Sequence, residues 1–202
     1  MYCDSVDRTV RARMLTLRRA ARRDEGFTLL ETVAVLAITC VLLGSAVAVS
    51  SKMLEQSRSD SSTHALVNTL GLARTRAIGE RRNFHIAFVM PNRIQISRVQ
   101  VPSNALQLVT DVVLDNGFEF RRFSGQPDTP DAFGAVSATS FGASPRRLFT
   151  SEASFVDNTG NVLNGSIFIG RPGEPMTARA ITIFGVTALV RTWKWTGTQW
   201  VE

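Results

Sequence analysis

Glu31 is a single acid near the start of a long apolar run, and its position requires a chemical reason. The run covers residues 27–49 and holds no other charged side chain. A carboxylate within hydrocarbon costs about 3 kcal/mol on insertion scales, so an acid there is expected to have a function and a cationic partner. The run contains no Lys or Arg, so we expect that partner to come from elsewhere.

The remaining candidate residues predict neither an enzyme nor a cofactor or metal site. The two histidines, His64 and His85, have no suitably spaced second ligand, and no nucleophile motif is present. Cys3 precedes the apolar run and Cys40 lies inside it, so they cannot cross-link a domain that follows the run. Residues 157–161 resemble part of a calcium loop but lack the ligand alternation and the distant Glu, which favours a hairpin turn. We expect His85 on the solvent face of a strand.

A basic and aromatic segment near the end of the chain allows two interpretations. Strand alternation places Arg191, Trp193 and Trp195 on one face and Lys194 on the other. These side chains could form a nucleic-acid surface on which bases stack, or an aromatic cluster within the core, and we favour the core. The net charge of +6 gives no further support for a nucleic acid, because the excess divides evenly between residues 1–26 and the remainder.

The apolar run predicts a transmembrane helix. Its 23 residues would extend roughly 35 Å as a helix, enough to cross a bilayer core. No small-residue cleavage site of a secretory signal follows it. Arginines crowd its N-terminal flank, whereas only Lys52 and Arg58 follow closely. The positive-inside rule therefore places residue 1 in the cytoplasm and the chain after residue 60 outside.

A hexapeptide preceded by arginines, GFTLLE at residues 26–31, resembles the type III signal of type IV prepilins and type II secretion pseudopilins. The resemblance implies that a prepilin peptidase cleaves after Gly26 and methylates Phe27, and that Glu31 registers subunits during assembly. Cleavage would also create an α-amino cation on Phe27 with which Glu31 could pair. Leaders of this family are often short, so translation could begin at Met14 rather than Met1.

The apolar pattern thins after residue 49 and then resumes with helical spacing. Leu66, Leu70, Ala73 and Ala77 recur at intervals of four, three and four residues. We predict one long helix over residues 27–80 with a bend or frayed turn in its Ser-rich middle. The predicted organisation is a leader, a transmembrane helix, an amphipathic continuation and a β-rich head, at residues 1–26, 27–49, 50–80 and 81–202.

Alternation of period two and turn residues predict the strands of the head. A gap at residues 124–147, rich in Gly, Pro, Ser and Ala, predicts a long surface loop that is functional or mobile. The Asp115-Asn116-Gly117 sequence and residues 157–160 predict turns. The predicted strands are 84–89, 94–96, 106–114, 118–123, 149–156, 166–170, 180–184 and 188–195.

The end of the helix and the last strands resemble the GspH/FimT subfamily of these proteins. The similar stretches are residues 70–89, with the pair Ala73-Arg74, and residues 155–170 and 178–195. The resemblance implies an α+β type IV pilin-like fold, in which a long N-terminal helix packs on an antiparallel sheet. Related DNA-uptake pilins carry Gly-Arg-x-Arg, and residues 185–191 depart from it, which weakens a DNA-binding role.

Together these features predict a minor pseudopilin of a type II secretion system that contributes to protein secretion. The alternative is a minor pilin of a type IV pilus, in pilus assembly or DNA uptake. We expect a single pass through the bacterial inner membrane, with a cytoplasmic N-terminus and a periplasmic head that joins a pseudopilus. The expected partners are the prepilin peptidase, other pseudopilins or minor pilins and the membrane, with nucleic acid as the weaker hypothesis.

Overall fold

The computed structural model describes residues 28–142 and 146–202, with the side chains of residues 46–52 left out. The chain divides into two compact units, one ending at Val49 and the other covering Ser50–Glu202. The fold class is α+β: helix α1 covers Leu29–Glu80, and eleven described strands follow it. The predicted leader, residues 1–26, lies outside the described residues.

Helix α1 buries the face that its sequence predicts. Leu66, Leu70, Ala73 and Ala77 have no exposed surface. The helix continues without a break through Ser57–Ser62, so the predicted frayed turn is wrong there. The Thr63 hydroxyl donates to the carbonyl oxygen of Ser59 at 2.8 Å, one helical turn earlier, which satisfies a polar group that would otherwise compete with the helix.

Within the described stretches, no helix is at once long enough and apolar enough to cross a membrane. The predicted span of residues 27–49 includes Phe27 and four residues whose side chains are not described. The transmembrane helix therefore stays a prediction.

The strands form two antiparallel sheets. The strands are β1 (Phe84–Val89), β2 (Arg93–Val99), β3 (Leu106–Val113), β4 (Glu119–Phe120), β5 (Thr139–Ser140), β6 (Arg147–Phe149), β7 (Phe155–Asp157), β8 (Gly165–Arg171), β9 (Glu174–Phe184), β10 (Leu189–Trp195) and β11 (Trp200–Val201). Sheet A has the order β3-β2-β1-β6-β7, and sheet B has the order β11-β10-β9-β8-β4, with β5 also paired to β8.

One core joins the C-terminal part of α1 to the inner faces of both sheets. Sheet A contributes Phe84 and Ile86, and sheet B contributes Ile181 and Ile183, all without exposed surface. The predicted hairpin of residues 84–96 is confirmed by the pairing of β1 with β2. The predicted turn at Asn116-Gly117 is also present, with φ values of 61° and 74° that favour these two residue types.

The outer face of sheet B carries a second, smaller core. Its buried members are Phe168, Ala178, Ala180, Trp193, Trp195 and Trp200, with Phe123 and Ala135 packed against them. We call residues 123–135 the cover segment, because they lie over this face. Strands β8 and β9 are thus apolar on both faces, which explains the nearly continuous apolar residues of IFIG and ARAITIF.

The prediction of a long surface loop at residues 124–147 is wrong in part, because most of this stretch makes fixed contacts. It contains β5 and the first residue of β6, and residues 143–145 lie outside the described chain. The cover segment is closed on itself, since the Asp128 Oδ2 atom accepts the N–H of Gly134 at 2.8 Å. Gly134 has a φ of 100°, a conformation that an L side chain rarely adopts.

Two strand predictions need correction. Residues 149–156 form two strands rather than one, since the chain turns between β6 and β7 and Ala153 takes a φ of 62°. The N–H of Thr150 donates to the Ser154 carbonyl at 2.9 Å across this turn. The predicted strand 118–123 is limited to Glu119–Phe120, because the following residues lead into the cover segment.

Candidate functional site

The N-terminus of α1 is capped by a residue that the sequence analysis overlooked. The Thr28 Oγ1 atom accepts the N–H of Glu31 at 3.2 Å. This is the N-cap arrangement, and the spacing Thr-x-x-Glu is its usual sequence signal. Thr28 therefore fixes the helix start, and Glu31 lies in the first turn, where the helix dipole favours a negative charge.

The described part of the first unit is an exposed helix with apolar side chains around it. The exposed fraction is 82% for Leu29, 64% for Leu36 and 73% for Val41. A helix that is apolar all round is typical of segments buried by lipid or by other subunits. Glu31 is its one charged residue between residues 28 and 45.

The hydroxyl groups of this helix are satisfied within the helix itself. Thr32, Thr39 and Ser45 donate to the carbonyl oxygens of the residues three positions earlier, at 2.8, 2.9 and 2.8 Å respectively. Such internal bonds are what an apolar environment demands, because lipid offers no substitute for water. The charge of Glu31 is then the main polar cost of burying this segment.

Gly26 and Phe27, the predicted cleavage and methylation residues, lie outside the described residues. Their roles, and the role of Glu31 in subunit registration, stay predictions. Glu31 itself is described and is exposed, as are its neighbours on the helix.

The two tryptophans lie in a core cluster, which is the interpretation that the sequence favoured over a nucleic-acid surface. Trp193 and Trp195 are each only 7% exposed, so their rings offer no face on which bases could stack. The Trp193 Nε1–H donates to Thr182 Oγ1 at 3.1 Å, and the Thr182 hydroxyl donates to Asp131 Oδ2 at 2.6 Å. The indole of Trp200 donates to the carbonyl of Pro127 at 3.0 Å. These contacts tie the cover segment to sheet B.

The two cations of strand β10, Arg191 and Lys194, lie on opposite faces of the strand. Arg191 pairs with Asp131 at 3.2 Å, and its guanidinium lies 5.1 Å from the centre of the Phe184 ring. Lys194 points to the other face of β10, where it lines a hollow with Glu55 and Met176. The two cations therefore do not form one basic surface.

A buried arginine attaches α1 to sheet B, and no local sequence pattern predicts this contact. The Nε and Nη2 atoms of Arg179 donate to Asp60 Oδ1 at 3.0 and 2.8 Å. The side chain of Arg179 is 3% exposed and that of Asp60 is 51% exposed. The pair acts as a structural link rather than as a site for chemistry.

His85 is buried, so its predicted place on a solvent face is wrong. It is 8% exposed on the outer side of β1, and neither ring nitrogen has a described hydrogen-bond partner. Burial lowers the pKa of His85, and the positive charges of Arg146 and Arg147 lower it further. Burial also lowers the pKa of Arg147, whose guanidinium lies over the rings of Phe88 and Phe141.

The Asp157 segment forms a closed turn. Asp157 Oδ1 accepts the Thr159 hydroxyl at 2.7 Å and the N–H groups of Thr159 and Asn161 at 2.8 and 2.9 Å. These bonds, led by that of the Thr159 side chain, lower the pKa of Asp157. Asp157 Oδ1 is therefore already bonded to groups of the turn. The described residues contain no group of three or more His, Cys, Asp or Glu that could hold a metal ion.

Comparisons with known proteins add a likeness of fold. No protein-family model matches the chain, and no curated protein matches it. Two solved structures of the minor pseudopilin EpsH from the type 2 secretion system of Vibrio cholerae are similar. One has a TM-score of 0.46 and 11% identity and covers 68% of this chain and 97% of that chain. The other has a TM-score of 0.43 and 16% identity and covers 73% and 97%.

Both TM-scores lie below 0.5, so these two structures carry no conclusion about the function of this chain.

Proposed function

We propose that this chain is a minor pseudopilin of a type II secretion system, a structural subunit rather than an enzyme. The observation that carries the proposal is the apolar helix of the first unit. Its hydroxyls are bonded internally, and its single acid is the last residue of the GFTLLE hexapeptide. Few other functions require both an exposed apolar helix and one carboxylate at its start.

In this proposal the carboxylate of Glu31 gains its partner through processing. The prepilin peptidase removes the leader after Gly26, which leaves a methylated α-amino cation on Phe27. That cation pairs with Glu31 of the same or a neighbouring subunit, where the surrounding helices exclude water and strengthen the attraction. A subunit packed out of register would leave the buried charge unpaired, so the pair selects the correct register.

The helix first anchors the precursor in the inner membrane and then packs among the helices of other pseudopilins. The second unit is the periplasmic head. Its fixed cover segment and closed Asp157 turn are features of a rigid scaffold that presents surfaces to neighbouring subunits.

The arrangement around Trp193 favours secretion over DNA uptake. Its ring is buried, and the charge of Arg191 is compensated by Asp131. A DNA-binding pilin needs uncompensated cations and accessible rings on one surface. A minor pilin of a type IV pilus remains the second candidate, because it would use the same N-terminal signal.

The test is the intact mass of the membrane-extracted chain after co-expression with a prepilin peptidase. The expected product lacks residues 1–26 and carries one added methyl group on Phe27. Gly26→Ala should block both changes. Glu31→Ala should be cleaved normally yet fail to join a pseudopilus reconstituted with the other pseudopilins.

Glu55→Ala is the matched control, because Glu55 is also an exposed acid on α1. It should be cleaved and assembled as the unaltered chain is. An uncleaved chain would contradict the proposal and indicate an ordinary single-span anchor. Assembly of Glu31→Ala at full yield would remove the registration role and leave the processing step intact.

A further inference from the structure

Strand β3 is an open edge of sheet A. The sheet ends at β3, and no described strand pairs with its other side. Its apolar side chains are exposed, with fractions of 41% for Leu106, 53% for Leu108 and 44% for Val113. A long exposed edge with apolar side chains is a template for another strand.

Hydrogen bonds at the two ends of β3 show which of its backbone groups point away from β2. The N–H of Leu114 donates to the Asn92 carbonyl at 2.7 Å, so Val113 and Arg93 form a pair without mutual hydrogen bonds. At the other end, the N–H of Gln100 donates to the Ala105 carbonyl at 2.9 Å, so Leu106 and Val99 form a pair of the same kind.

Alternation from both ends then identifies the outward backbone groups. They belong to Leu106, Leu108, Asp111 and Val113. The step from Leu108 to Asp111 is three residues instead of two, because a bulge interrupts the register between Ile96 and Ser97. A regular strand added to this edge would lose its hydrogen-bond register at the bulge.

We propose that this edge pairs with β3 of a second copy of the chain, in antiparallel orientation about a two-fold axis. Leu106 lies opposite Val113 of the second copy, and Leu108 lies opposite Asp111. In this register each of the four residues with outward backbone groups lies opposite another such residue. The two bulges face each other, so the three-residue step in one copy is matched by the same step in the other.

Side chains support the same register. The two apolar pairs of Leu106 with Val113 meet on the outer face of sheet A, where cross-strand contacts stabilise the sheet. The two Asp111 carboxylates do not face one another, and each is already held by Arg93 at 2.9 Å. A second copy is therefore a better occupant than a regular strand from another protein.

Specific disulfide formation tests the register in the full chain in mild detergent. Cys3 and Cys40 are first replaced by Ser. Copies carrying Leu106→Cys and copies carrying Val113→Cys, with different tags, are then co-expressed and oxidised. The expected result is a mixed disulfide dimer, with no dimer when either variant is expressed alone, because like positions lie about seven residues apart across the axis.

The matched control replaces Val113→Cys by Val136→Cys, since Val136 is 93% exposed but lies beyond the cover segment. This combination should give no dimer. Equal cross-linking in the control, cross-linking of Leu106→Cys with itself, or no cross-linking in the mixed sample would each overturn the proposal.

Sedimentation of the same full chain gives a second measurement. Leu106→Lys should weaken dimerisation at least about tenfold, because each of the two lysines would lie opposite the apolar side chain of Val113 in the other copy. Val136→Lys should leave the dimer unchanged. A monomer at every concentration, or equal dimerisation of both variants, would contradict the proposal. Neither measurement depends on leader cleavage, so the proposed pseudopilin function could fail without affecting this result.

Discussion

The two sheets of the second unit differ on their outer faces. In sheet B this face is covered by residues 123–135 and holds three tryptophans. In sheet A the corresponding face is covered only in part, since His85 is buried there while Val89 and Val113 are 40% and 44% exposed. A covered face becomes part of the core, whereas an uncovered face keeps its side chains for contacts with other molecules.

This difference is visible in the residue types. Strand β9 has buried residues from Thr177 to Ile183 without alternation, as a strand covered on both sides should. Strand β1 is buried only from Phe84 to Ile86, and its exposure rises towards Val89 at its end. The basic and aromatic residues of β10 thus serve stability, and the apolar edge of sheet A is the better candidate for an interface.

The largest expected effect comes from removing a tryptophan on which the cover segment of sheet B packs. Trp193→Ala should lower the free energy of unfolding by about 4 kcal/mol, because it leaves a cavity and breaks the bond to Thr182. Thermal unfolding followed by circular dichroism measures the loss, with Val136→Ala as the control. A loss no larger than that of the control would mean that the cover segment does not hold this face.

The next effect concerns the inner face of sheet B. Asp60→Ala should lower the free energy of unfolding by about 2 kcal/mol, because it leaves the buried guanidinium of Arg179 without its main acceptor. The double variant Asp60→Ala/Arg179→Met should recover part of that loss, as shown by urea denaturation. Additive losses in the double variant would contradict a direct pair.

The outer face of sheet A gives a pH-dependent prediction. The pKa of His85 is lowered in the folded state, so below its unfolded value near 6.5 the unfolded state binds more protons. The stability contributed by His85 is complete above that pH and is lost as the pH falls toward the folded pKa. The slope for one proton is at most about 1.4 kcal/mol per pH unit.

Urea denaturation between pH 7.5 and 5 would measure this slope. His85→Gln should remove the part of the slope that His85 causes, while His64→Gln, on the exposed side of α1, should leave that part in place. An unchanged slope in His85→Gln would show that His85 is open to solvent and that sheet A is less covered there than described.

The smallest effect is expected where the cover segment meets solvent. The side chain of Arg191 is 42% exposed, so Arg191→Gln should cost less than about 1 kcal/mol of stability. It should also leave any binding of duplex DNA unchanged, measured by fluorescence anisotropy at low salt. A clear fall in DNA affinity would restore the nucleic-acid hypothesis for this residue.

Local patterns were enough to predict the elements whose signals lie within a few residues. The buried face of α1, the hairpin of β1 and β2 and the Asn116-Gly117 turn follow from spacing and turn chemistry alone. The N-cap at Thr28 carried an equally local signal, since Glu31 follows three residues later.

Contacts between distant parts of the chain could not be predicted in this way. Asp131 lies 51 residues before Thr182, and Asp60 lies 119 residues before Arg179. Nothing in the local sequence indicates that a Gly- and Pro-rich stretch will pack on a strand, so the long surface loop was predicted incorrectly in part. The buried position of His85 is missed for the same reason.

The internal hydroxyl bonds of the first unit have a consequence for how a subunit could move. Thr32, Thr39 and Ser45 have their acceptors within the helix itself, so they need no partner from hydrocarbon tails or from protein around it. In the proposed transfer from membrane to filament, these groups exchange no bonding partners and add no barrier. The energetic difference between the two surroundings is then concentrated at one end of the helix, where Glu31 finds or lacks a positive charge. A single ion pair could thereby decide the direction of the transfer.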